Sequence, residues 1–137
     1  MALTGPLSIL WIGLLLGVSF VATPAKFRAP TLSLPAALDV GRVTFSVFAR
    51  FEALLALLVL ATAFDFSNGL FRGDVITLAI GVSAAVAFQS LWVRPVLDRR
   101  AALIIEGGTA PKSRAHTLYL ALEVLKLIAL AAIAVSA

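Results

Sequence analysis

Four apolar stretches, at about residues 7–23, 43–64, 75–96 and 117–137, leave this chain few folds to choose from. Each holds ~17 to 22 residues, enough at ~1.5 Å per helical residue to cross a hydrocarbon layer ~30 Å thick. Backbone amides in lipid have to bond within their own segment, so the stretches read as helices. Composition agrees, with 61% hydrophobic and 13% charged residues and a mean hydropathy of +1.07. Ordinary globular chains carry about 25% charged residues, and a soluble fold of this composition would expose large apolar patches. The expectation is an all-α, polytopic membrane four-helix bundle, one domain over residues 1–137.

Charge position sets the orientation. Seven of the 11 basic residues lie in the first and third connections: Lys26, Arg28 and Arg42, then Arg99, Arg100, Lys112 and Arg114. The second connection has only Arg72, and the tails have none. The positive-inside bias therefore predicts an inner-membrane, multi-pass protein with both termini outside, N-out/C-out, and its basic loops against anionic headgroups. A net charge of +4 placed this way points to a membrane surface and not to nucleic acid. Lys26 and Arg28 follow the first apolar run and no basic residue precedes it, the reverse of a cleaved signal peptide.

The loops carry local signals. Pro24, Pro30 and Pro35 predict an extended first connection, with Ser33 capping a helix that leads into the second span. Ser67-Asn68-Gly69 reads as a tight turn. "PVLDRRAALII" keeps helical spacing, either extending the third helix or lying along headgroups, and Gly107-Gly108 ends it. Ser113 is the expected N-cap of the last helix. Trp92, Phe64, Phe66 and Phe71 fit interfacial anchoring. Gly13 and Gly17 form a GxxxG pair, while Gly81, Ser83, Ala84, Ala85, Ala87 and the terminal "ALAAIAVSA" offer small-residue packing, within the chain or in a homodimer.

The last helix is the odd one, because His116, Tyr119, Glu123 and Lys126 follow the 3-4-3 spacing of a single seam. From the basic side, Glu123 lies about two turns in and Lys126 ~15 Å in. Glu52 enters the second helix to ~10–13 Å, on a seam with Ala49, Ala56 and Ala63, and Gln89 lies roughly two turns deeper than Arg94 on the third. Segments distant in sequence thus send Glu52, Gln89, Arg94, His116, Tyr119, Glu123 and Lys126 toward one inner level. A central charge costs ~2.5–3.5 kcal/mol to insert, so these groups are expected to meet one another, water or a ligand. Two readings stay open: ion pairs that fix helix register, with Glu123 and Lys126 neutralising each other on one helix, and a functional site. His116 alone also fits an interfacial or capping histidine, and Tyr119 an interface anchor.

Catalytic patterns are absent from the sequence. It has no HExxH, P-loop or GxSxG motif. A lone histidine rules out bis-histidine haem within one chain, and Glu52, Glu123 and His116 make a thin zinc set. No cysteine is available as nucleophile or ligand. Neither a catalytic residue, a metal nor a cofactor is expected.

Two longer stretches, "WIGLLLGVSFVATPAKF" and "DVGRVTFSVFARFEALL", carry a resemblance. They resemble a family of small four-helix integral membrane proteins of unknown function, one that includes a eukaryotic transmembrane protein associated with cisplatin resistance. In that family a glycine-containing first helix leads into a Pro-x-x-Phe segment, matched by Pro24 and Phe27, and a Gly-Arg like Gly41-Arg42 opens the second helix. "WVRPVLDRR" and "HTLYLALEVLK" are similar to its later proline and charged-helix positions. The resemblance implies the four-helix topology and brings no activity.

Three functions fit these residues. The first is transport or permeation of an ion or small solute, with Glu52, Gln89, Glu123 and Lys126 lining a cytoplasm-facing cavity, in a homodimer because four short helices barely enclose a path. The second is an accessory or assembly subunit docking a membrane-protein partner through the polar stripe. The third is a membrane enzyme acting on lipids or quinones.

Overall fold

The computed structural model describes residues 3–65, 70, 71, 73–110 and 113–137. Four helices long and apolar enough to cross a membrane form the chain: α1 (Thr4–Lys26), α2 (Leu34–Ala63), α3 (Gly73–Ile105) and α4 (Ala115–Ser136). Between α2 and α3 two short strands, β1 (Phe64–Asp65) and β2 (Leu70–Phe71), pair antiparallel with Phe64 opposite Phe71. The predicted turn at Ser67-Asn68-Gly69, and Phe66, lie outside the described residues.

Helix α1 packs on α2 and α4, and α3 packs on the same two. Gly5, near the start of α1, lies against the Ala134 carbonyl near the end of α4, at 3.7 Å from its would-be Cβ. Both termini therefore share one end. The 26–42 and 94–116 segments meet at the other, which we call the basic end. Trp11, Leu15, Phe48, Leu55, Val59, Val75, Val82, Val86, Leu130 and Ile133 fill the core. Every helix also carries exposed large apolar side chains, among them Ile9, Leu57, Leu91 and Ile128. Water would not tolerate that much apolar surface, and a membrane would.

Every helix starts before its predicted span, and α1 and α3 also run past its end. The largest correction is at Pro24, where the chain stays helical through Lys26 instead of extending. Proline has no N–H for the Phe20 carbonyl and its ring crowds that carbonyl. The chain answers with a π turn over Leu16–Ala22, in which the Thr23 N–H reaches back five residues to the Val18 carbonyl. The Thr23 hydroxyl donates to the same oxygen at 2.8 Å. An equivalent π turn, Gln89–Val93, precedes Pro95 in α3, with the Arg94 N–H on the Gln89 carbonyl. Both are i→i+5 insertions in otherwise α-helical spans.

Local signals fared unevenly. Ser33 caps α2 as expected, accepting from the Ala36 N–H at 3.3 Å. Gly107, at φ +87°, ends α3 in a Schellman turn whose Gly108 N–H bonds the Leu103 carbonyl at 2.9 Å. The N-cap of α4 is Arg114, while Ser113 accepts from the Ala115 N–H at 3.0 Å. Gly41-Arg42 does not open α2 but lies two turns inside it, because the helix starts at Leu34. Gly13 and Gly17 face outward, with nothing within 4 Å of a Cβ at either. Gly81, Ala84 and Ala87 are exposed as well, and Val75, Ala79, Val82 and Val86 form the packed face of α3.

Candidate functional site

All four helices send polar side chains to one buried point. The Lys126 ammonium lies 2.6 Å from Glu52 Oε2 and 2.6 Å from Glu123 Oε1. Lys126 is 1% exposed, Glu123 0% and Glu52 3%, so water screens none of these charges. Three further donors close around the carboxylates. The Trp11 indole N–H gives to Glu52 Oε2 at 2.8 Å. The Ser19 hydroxyl gives to Glu123 Oε2 at 2.7 Å, and the Gln89 amide gives to Glu123 Oε1 at 2.8 Å. Gln89 also reaches the Tyr119 carbonyl at 3.3 Å.

Secondary structure explains the aim of these donors. On α1 the inward side chains Trp11, Leu15, Ser19 and Thr23 are spaced four apart. A regular α-helix drifts about 40° for every four-residue step. The π turn over Leu16–Ala22 absorbs that drift and keeps Ser19 pointing at Glu123. On α3, Gln89, Val93, Leu97 and Ala101 repeat the four-residue spacing, and the π turn begins at Gln89. Both donors to Glu123 from neighbouring helices therefore sit in π turns.

Charge and donors are unevenly shared. Glu123 takes donors on both oxygens. Glu52 takes both of its donors on Oε2, and Oε1 has none among the described residues. With every group ionised the triad carries a net charge of −1, and a proton on one carboxylate makes it neutral. A buried charge without full pairing is costly. The ammonium, with three N–H bonds and two carboxylate partners, keeps one N–H without a partner among the described residues.

Of the residues expected at this level, Glu52, Gln89, Tyr119, Glu123 and Lys126 are buried together. Tyr119 packs its ring edge-on against Phe45, with centroids 5.4 Å apart. Arg94 and His116 are not in the cluster. They line a cavity of about 260 Å³ at the basic end, which Ser19 and Tyr119 separate from Glu123. The cluster and the cavity are thus adjacent but distinct, and Glu52, Gln89, Glu123 and Lys126 do not line the cavity.

Trp11 and Ser19 escaped sequence reasoning. One signal was available: a tryptophan in the middle of an apolar helix needs a partner for its indole N–H, unlike one at an interface. Thr4 and Ser8, both 0% exposed, were missed as well. They continue the polar face of α1 toward the terminal end, where Ser8 donates to the Thr4 carbonyl at 2.9 Å and Thr4 Oγ1 has no partner among the described residues.

The fold and the site together define a helical protein with four potential membrane spans around a buried ion-pair triad. No family model, curated protein or solved structure matches the chain.

Proposed function

We propose that this protein is a multi-pass inner-membrane permeation module that moves protons, alone or with a small ion, through the triad Glu52–Lys126–Glu123. In this reading the basic end faces the cytoplasm, both termini lie outside, and the exchanging proton resides on Glu52. The carrying observation is the mismatch of two carboxylates with one ammonium, all nine-tenths or more buried. A purely structural ion pair needs no second carboxylate, whereas a proton site needs a group that can be neutral or charged at small cost.

The polar face of α1 supports the same reading. Thr4, Ser8, Trp11, Ser19 and Thr23 run along it from the terminal end to the cavity, interrupted by Leu15. Ser19 touches both the cavity and Glu123, which makes it the link between the cavity and the triad.

The experiment is reconstitution in liposomes loaded with a pH-sensitive dye, with an imposed proton gradient. Wild-type protein should dissipate the gradient and Glu52→Gln should not. Flux at the level of empty liposomes would end the proposal. The alternative, an accessory subunit, draws on a different feature: the stripe on α4 is consumed inside the chain, so a partner helix would have to meet the open Gly13–Gly17 face of α1.

A further inference from the structure

The cavity at the basic end has a composition that the triad does not explain. Lys26, Arg42, Arg94 and Arg100 reach it from three different helices, and Asp98 is the only acidic residue among the described residues that line it. Two of these cations have carboxylate company. Arg42 pairs with Asp39 at 2.7 Å through one terminal nitrogen, and Arg94 lies 3.8 Å from Asp98. The pairing is incomplete. Arg42 Nε, Arg94 Nε and Arg100 Nη1 are all shielded from solvent, and none has a hydrogen-bond partner among the described residues.

Lys26 adds a fourth cation. Its ammonium pairs with no carboxylate among the described residues and sits over the rings of Phe27 and Phe45, at 5.3 and 5.6 Å. It fits there because residue 41 is glycine: a Cβ at Gly41 would lie 2.5 Å from the Lys26 nitrogen. Four cationic side chains against one carboxylate leave the lining of this cavity net positive, which favours an anionic occupant.

We propose that this cavity binds a phosphate monoester group, the head of an anionic amphiphile. Four cationic side chains converging from different directions suit a tetrahedral oxyanion with several acceptor oxygens better than a planar carboxylate with two. The walls between them are apolar, with Phe27, Leu38, Phe45, Leu97, Ile104 and Leu120. At about 260 Å³ the space is below the ~300–1,000 Å³ of sites that engulf a whole small molecule. It holds a head, and the apolar tail stays along the outer surface of the helices. Its occupancy is read from bound lipid, apart from any proton flux through the triad.

The test uses the full chain in phosphatidylcholine nanodiscs containing a minor fraction of phosphatidic acid, whose head is a bare phosphate monoester. Native mass spectrometry then counts the lipids that remain on the released protein. Wild-type protein should keep one phosphatidic acid in preference to phosphatidylcholine. Arg94→Gln and Arg100→Gln should each lower that retention roughly fivefold, the weight of one basic side chain at an anionic lipid surface. Arg50→Gln removes the same charge from an exposed residue outside the cavity and should leave retention unchanged. Lys26→Gln reads the same cavity from α1 should either arginine variant fail to fold.

A second arm titrates lipid-stripped protein in neutral detergent with inorganic phosphate by calorimetry. Binding there that also displaces phosphatidic acid makes free phosphate the occupant and upholds the oxyanion assignment. Equal retention of the two lipids together with no phosphate binding overturns it, and so does an equal loss in Arg50→Gln.

Discussion

Lys126 and Glu52 meet at 2.6 Å in the middle of the bundle, and the oxygen that joins them also accepts the Trp11 indole N–H. Three helices are pinned by that single atom. In a bundle whose exterior is as apolar as its interior, hydrophobic burial discriminates poorly between helix rotations, and such polar contacts set the register.

Lys126→Met should destabilise the fold strongly, by ~3–5 kcal/mol, because two buried carboxylates lose their shared counter-ion. Thermal unfolding in detergent measures the loss. Adding Glu123→Gln to Lys126→Met should recover part of it, since the charge stranded on Glu123 is then gone. A double variant no better than the single would show that the charge balance is not what holds the site.

The proton should be visible directly. Infrared difference spectra of the wild type should contain the carbonyl stretch of a buried protonated carboxyl group. Either single variant, Glu52→Gln or Glu123→Gln, leaves one carboxylate with one ammonium and should lose that band. A band that survives in either would show that the charge balance does not hold the proton.

Ser19→Ala removes the only donor to Glu123 Oε2 among the described residues. The expected cost is ~1–3 kcal/mol for a buried acceptor left unsatisfied, read from chemical or thermal unfolding. Ser19→Thr keeps a hydroxyl and should lose less. Because Ser19 also borders the cavity, proton flux should fall further in Ser19→Ala than its stability change accounts for.

Pro24→Ala and Pro95→Ala should separate stability from function. Each restores an N–H and removes the ring that forces the π turn, so a regular α-helix becomes available and the melting temperature should rise or hold; an interior proline costs ~3 kcal/mol in a regular helix. The same change rotates Ser19 or Gln89 away from Glu123, and flux should fall. A variant that keeps full flux would show that the π turns do not aim these donors.

Substitution of Gly13 and Gly17 by leucine should alter monomer stability by less than ~0.5 kcal/mol, the usual range for exposed positions without close neighbours. Nothing among the described residues lies within 4 Å of a Cβ at either residue. Size-exclusion chromatography with light scattering reads any second copy: a change of oligomeric state in the double variant would place a helix of that copy on this face.

Much of this protein is written locally. Four apolar runs determine four helices, and the 4-3 spacing of Tyr119, Glu123 and Lys126 determines that they share a face, since helical periodicity needs no partner. The Ser33 cap and the Gly107 terminator are local as well. Tertiary structure alone decided that Trp11 and Ser19 complete the triad and that Arg94 and His116 stand apart from it in a separate cavity. Only it decided that the GxxxG face of α1 turns outward. The reason is rotational. Periodicity tells which residues lie together on a helix, while the direction that face takes depends on how the helix turns about its own axis against its neighbours, and in α1 and α3 on a π turn that shifts the phase partway along.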